Sequence, residues 1–260
     1  MYNSGGIFGL YQALSHLVVS LEVDMFQNKL RPLYKLVSKH FEINITGLEN
    51  IDRDQNYIFA MNHQSIMDIP IAFSVLVPLT NQKIILFLSH YFYAIFFPLT
   101  RPLDVLRINM KKGKSTKITR FNQGQVLKGI RRIRLGSNAL IYPEGSIVGG
   151  MESNILRGET GVIRLALRSG IPIVPIGIRG SNHAYPFALR TKNPFTIKTK
   201  HPIHINVGTP ICLEEYREVD VKRYSEDARS TLRNLTEHLM EKLAELSGLP
   251  RIRPASSSTR

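Results

Sequence analysis

Cysteine is almost absent from this chain. A single residue, Cys212, among 260 excludes an intramolecular disulfide. It lies in "GTPICLEEY", where it reads as a small buried side chain, and no base or electropositive setting nearby suits a catalytic thiol. Long uncharged apolar runs are lacking too. No window reaches the 18 or so residues of a clear membrane span. The nearest, residues 84–100, is broken by Ser89, His90 and Pro98, and reads as a buried or membrane-dipping segment. The N-terminal run has no basic start and no small-residue cleavage site, so no secretory signal peptide is expected. Acidic residues are scarce: 20 Asp+Glu face 34 Lys+Arg, for a net charge of +14. That field implies an anionic partner, whether nucleic acid, an anionic membrane surface or a phosphorylated small molecule. Between Asp104 and Glu144 no acidic residue occurs at all, while ten basic ones do; charge runs of this kind usually form a solvated helix face.

What is present is ordinary globular material, 43% hydrophobic and 21% charged, long enough to bury a sizeable core. Apolar residues recur at helical spacing over 5–24 and again through Leu30, Leu33, Tyr34 and Val37, with Lys29, Arg31, Lys35 and Lys39 on the opposite side. These two helices either pack on the domain or form an amphipathic hairpin in a membrane interface. After Gly47 strands and helices alternate. "NYIFAMN", "KIILFLS", "DVLRIN", "NALIYPEG", "IPIVPIGIRG" and "HPIHINVGTPI" read as strands. Helices are expected over "SIMDIPIAFSVL", 117–134, "GETGVIRLALRSG" and 225–247, the last capped by Ser225 and stopped by Gly248. The expected fold is therefore a single α/β domain with a mainly parallel central sheet flanked by helices. The expected division is N-terminal membrane-associating helices (1–44), a main domain (45–248) and a disordered basic tail (249–260).

Three stretches carry chemistry. In "AMNHQSIMDIP", Asn62 and His63 fall where a strand ends and a helix begins, the usual place for ligand-binding residues in α/β folds. Positions five apart do not share a helix face, but with His63 on the turn and Asp68 in the helix the two side chains can meet. A carboxylate holding one imidazole nitrogen leaves the other free to take a proton, which suits activation of a substrate hydroxyl. A structural histidine at a helix start fits the stretch alone equally well. In "IYPEGSIVGG", Glu144 and Ser146 sit at a loop mouth, and Gly145 permits close backbone approach to a phosphate or oxyanion; a plain turn is the simpler reading. In "LDVLRIN", Arg107 is aimed at a strand terminus and is the best candidate for a phosphate clamp.

Taken in order, these blocks resemble the glycerolipid acyltransferase family, typified by bacterial 1-acyl-glycerol-3-phosphate acyltransferases. Its NHxxxxD block is matched by Asn62, His63 and Asp68. "LDVLRIN" is similar to its arginine-bearing second block. "YPEGS" stands for Phe-Pro-Glu-Gly-Thr/Ser, with Tyr142 in the aromatic place. "LRGETG" puts Arg157 where lysine is commoner, and "IVPIGI" matches a Val-Pro-Ile strand. Two departures stand out: Ile147 replaces the arginine that phosphatidate-forming members usually carry, as in members acting on other lysophospholipids, and His90 replaces a lysine.

The resemblance implies transfer of a fatty acyl group from acyl-CoA or acyl carrier protein to the free hydroxyl of 1-acyl-glycerol-3-phosphate, glycerol 3-phosphate or another lysophospholipid. It implies His63 and Asp68 as catalytic residues and Asn62, Arg107, Glu144, Gly145, Ser146 and Arg157 as substrate-binding ones. No cofactor and no metal are expected, and the cytoplasmic face of an anionic membrane is the expected location. A nucleic-acid-binding protein is the rival on charge alone, but the basic run has few aromatics for stacking and no recognisable binding module, so nucleic acid is not an expected partner. A metal hydrolase using His201 and His204 is disfavoured, because strand positions three apart face opposite ways.

Overall fold

The computed structural model describes residues 24–26, 28–95, 100, 103–110, 116–147, 154–184, 201–218 and 225–252. The first expected helix, over 5–24, lies almost wholly outside them, as do residues 253–260 of the expected tail. Residues 28–40 form helix α1. The strands that follow are β1 (Glu42–Thr46), β2 (Ile58–Met61), β3 (Ile84–Ser89), β4 (Asp104–Ile108), β5 (Asn138–Ile141), β6 (Ile173–Arg179) and β7 (Pro202–Val207). Between and after them run α2 (Asp68–Leu76), α3 (His90–Ile95), α4 (Thr116–Arg134), α5 (Gly161–Ser169), the short α6 (Ser181–Ala184) and α7 (Glu226–Ser247).

The seven strands form one sheet in the order β1-β7-β6-β2-β5-β3-β4. β6, β2, β5, β3 and β4 are mutually parallel. β7 turns antiparallel to β6, and β1 is parallel to β7. Side chains alternating along each strand divide the core in two. Phe59 and Met61 join α1 and α2 on one face, through Leu30, Val37, Ile71 and Phe73. Ile58 and Ala60 join α4, α5 and α7 on the other, through Ile133, Val162, Leu165 and Leu239. All four residues of β2 are buried, as expected of a central parallel strand covered on both sides.

Several boundaries differ from the sequence expectations. β1 straddles residue 44, where the main domain was expected to begin, and pairs with β7. At the sheet edge its residues alternate between exposed and half-buried, so only Phe41, Ile43 and Ile45 signal it by their period of two. The tail is corrected over its first residues: Leu249 is buried, Ile155 and Arg251 form a bridge, and the Arg251 guanidinium reaches Glu237 at 2.5 Å. Cys212 is exposed rather than buried, because the chain around it pairs only through the single Ile173–Ile211 bridge. The expected membrane-seated apolar face is corrected for α1, because Leu30 and Val37 belong to the domain core. Its outer side keeps Lys29, Arg31, Lys35 and Lys39 exposed. Among the described residues, no helix is long and apolar enough to cross a membrane.

The caps read from sequence are in place. Ser225 accepts from the Ala228 N–H, and Gly248 adopts the left-handed conformation that ends α7. The end of α7 lies directly on β6, where a Cβ on Gly177 would stand 2.3 Å from Ser247 N and 2.4 Å from Leu246 C. Backbone cannot yield there as a flexible side chain would. Gly177→Val should therefore lower stability by about 1–3 kcal/mol, read as a lower denaturant midpoint; an unchanged midpoint would show that α7 can lift at no cost.

Candidate active site

β2 and β5 are neighbours in the sheet, so the turns leaving their C-terminal ends lie side by side although 81 residues separate His63 from Glu144. This is the end of a parallel sheet at which ligands bind. The first turn is closed by one atom. Oδ2 of Asp68 accepts from Gln64 N at 2.6 Å and Ser65 N at 2.7 Å, and meets His63 Nδ1 at 2.9 Å. Asp68 is the first residue of α2 and is fully buried, and a negative charge is favoured at a helix N-terminus. The carboxylate thus fixes the turn and the ring together. With Nδ1 engaged, Nε2 is the nitrogen left to the cavity, and it makes no hydrogen bond among the described residues.

Glu144 ties the second turn to the first. Its Oε1 accepts from His63 N at 2.7 Å and its Oε2 from Leu156 N at 2.8 Å. Gln64 adds a strap, donating from Nε2 to Asn154 O at 3.0 Å. Gly145 has φ +67°, and its N–H donates to Tyr142 O at 3.1 Å; a Cβ there would come within 2.8 Å of the Met110 methyl. The Tyr142 ring lies over the His63 imidazole, with centroids 4.1 Å apart and planes at 22°.

Two cavities meet at His63. The larger, about 320 Å³, falls at the lower end of the ~300–1,000 Å³ usual for small-molecule sites. It runs on the α4–α5 side of the sheet, between Phe87, Val126, Ile141, Val162 and Leu165. Ser146 and Gly145 stand at its wall, and Glu159 is an acidic residue in it. The smaller, about 40 Å³, lies on the α1–α2 side and is lined by Leu33, Ile66, Ile69 and Leu103. His63, Leu88, Phe92 and Ile147 border both. Ile147 therefore gives apolar surface to each cavity at the place where an arginine would have put a charge.

The other expected site residues fall elsewhere. Asn62 is corrected from a substrate contact to a strut: it is wholly buried, donating to Ile178 O at 2.9 Å and accepting from Ile178 N at 2.7 Å. Both ends of its amide are used, so it locks β2 to β6. Arg107 sits on β4, three strands from β2, or about 14 Å at roughly 4.8 Å per strand. Its guanidinium carbon stands 5.3 Å from the Tyr93 ring centre, a cation–π contact. Arg157 is exposed on the loop one residue past Leu156. His90 is exposed at the start of α3, edge-on to Phe121. His201 stacks on His183 at 5.3 Å rather than joining His204. Sequence reasoning did not find the Tyr142 stack or the Asn154–Leu156 tie. The aromatic place before Pro143 was a signal for the first; nothing local marked the second.

The acyltransferase family model matches residues 42–179, more than half of the sequence. The chain belongs to the acyltransferase family. The fold of this acyltransferase is similar to the crystal structure of the 1-acyl-sn-glycerophosphate (LPA) acyltransferase PlsC from Thermotoga maritima. The two share 18% identity at a TM-score of 0.56, over 93% of this chain and 88% of that one. No curated protein sequence matches it significantly.

Burial pushes the Glu144 carboxyl up to about 7 from 4.5, with the Asp68 charge adding to the rise and the two backbone N–H bonds opposing it. A folded chain that holds this proton more tightly than the unfolded chain loses stability as pH rises from about 4.5 to about 7. Glu144→Gln should remove that contribution while shifting all values by a constant for the lost N–H bond. The melting temperature of the unaltered protein minus that of the variant should decline across this window. Parallel curves would contradict it.

Proposed function

We propose that this acyltransferase moves a fatty acyl group from an acyl-CoA or acyl carrier protein thioester to the free hydroxyl of a lysophospholipid, 1-acyl-glycerol-3-phosphate being the first candidate. The observation carrying this reading is the Asp68-held imidazole opening into an apolar cavity. Nε2 of His63 takes the hydroxyl proton as the oxygen attacks the thioester carbonyl. Asp68 stabilises the imidazolium that forms. The tetrahedral intermediate then collapses: the C–S bond breaks, and the departing thiolate takes the proton back from His63. Base catalysis of this kind contributes about 10²–10⁴-fold, and holding both reactants in place adds to it. No step calls on a metal or a redox cofactor.

Each remaining part has a task in this scheme. The larger cavity receives the acyl chain among Phe87, Val126, Ile141 and Leu165. The N–H groups of Ser146 and Ile147 follow Gly145 on the cavity wall and would meet the oxyanion, since the Gly145 N–H is spent on the turn. Glu144 holds the loop that presents them. Arg107 binds the acceptor phosphate from the sheet edge, leaving Tyr93 to do so, and Arg157 adds charge from the loop. The protein works peripherally on an anionic, cytoplasmic membrane face. The exposed Lys29, Arg31, Lys35 and Lys39 of α1 support this, each adding about 1 kcal/mol near such a surface, while Leu33 of the same helix lines the small cavity beside His63.

Purified protein given labelled acyl-CoA and acyl carrier protein with a panel of acceptors should form labelled phosphatidate, separable by lipid chromatography. His63→Ala should lower the rate at least about 100-fold without unfolding the domain; a variant retaining most turnover would remove His63 from the role of base. Arg107→Ala should raise KM for a phosphate-bearing acceptor about tenfold or more and leave a phosphate-free monoacylglycerol unaffected. Equal changes for both would place the phosphate elsewhere.

A further inference from the structure

Tyr142 carries two features that the scheme above leaves unused. Its ring is stacked on the catalytic imidazole, and its hydroxyl is buried without a hydrogen-bond partner. On Asp68, Oδ2 serves the turn and the ring, while Oδ1 is likewise buried and unpartnered. A buried donor and a buried acceptor left unpaired each carry a desolvation cost, and such groups are nearly always satisfied in folded proteins. The two sit close enough for the Asp68 charge to act on the phenol, which burial first and that charge second hold well above its ordinary value of 10.0. The hydroxyl therefore stays protonated and can only serve the carboxylate as a donor.

We propose that Tyr142 is a positioning residue for the His63–Asp68 pair, its ring fixing the imidazole plane and its hydroxyl donating to Oδ1 of Asp68. The contact is made directly or through one bridging water. Either arrangement spreads the charge of the carboxylate. The pair then binds its proton less tightly, so more of the imidazole is free to act as base near neutral pH. Among the described residues, the titratable groups facing the ring are Asp68 from α2, Tyr142 and Glu144 from the turn after β5, and Glu159 across the larger cavity. Phenylalanine would supply the stack alone; tyrosine supplies the stack and a donor.

The proposal rests on the reading of His63 as base, and its test separates the two. In protein labelled at histidine, the His63 resonance, assigned by its loss in His63→Ala, should titrate about one pH unit higher in Tyr142→Phe, with the melting temperature nearly unchanged. The acid limb of kcat/KM should move by the same amount while KM for the thioester stays constant. Tyr142→Leu, which removes the ring as well, should add a fall in kcat. Superimposable titrations of the unaltered protein and Tyr142→Phe would overturn the proposal, whatever the activity. A shifted resonance with no acyl transfer in either protein would uphold the Tyr142 contact and overturn the reading of the pair as an acyltransferase base.

Discussion

A single carboxylate oxygen organises the site. Oδ2 of Asp68 gathers two backbone N–H groups and one imidazole nitrogen, all from the three residues His63, Gln64 and Ser65. An isolated buried carboxylate would be expensive, and it persists where hydrogen bonds and a helix N-terminus offset the loss of water. Structure and chemistry are therefore coupled: the contacts that make the anion tolerable also fix the turn, select the tautomer and aim Nε2 at the cavity. Removing the carboxylate would disturb all three together.

Around that oxygen the sheet does the longer-range work. Pairing of β2 with β5 sets the two turns side by side, and Asn62 prevents β2 from sliding against β6 by filling both hydrogen-bonding positions of Ile178. Glu144 then spans the two turns and the 156 loop with two backbone bonds. Its high proton affinity measures the cost of that arrangement: burial outweighs the two bonds. A residue that looks like a substrate ligand in sequence thus fastens the two turns together.

The apolar character of the site follows from the same geometry. The cavities open between sheet and helices, where strand residues such as Phe87 and Ile141 and helix residues such as Val126 and Leu165 already face inward. Ile147 continues that surface at the one border shared by both cavities, where a charge would face oil on two sides. Positive charge is instead kept outside, on α1 and on the exposed face of α4. That division separates a basic outer surface from an apolar interior cavity within one domain.

The local pattern was enough to specify most of the elements. β2, β3, β5, β6, α4, α5 and α7 follow from apolar periodicity and from caps such as Ser225 and Gly248, because those signals depend on neighbours in the chain. The meeting of His63 with Asp68 was legible for the same reason, being five residues long. β1 escaped notice because an edge strand needs only two inward side chains. The neighbour of each strand, the contact of Glu144 with His63, the service of Asn62 to Ile178 and the stack of Tyr142 on the imidazole were decided only when the sheet closed. Hydrogen bonds and ring contacts across 79 to 116 positions leave no periodicity to read; they exist only because β5 and β6 come to flank β2.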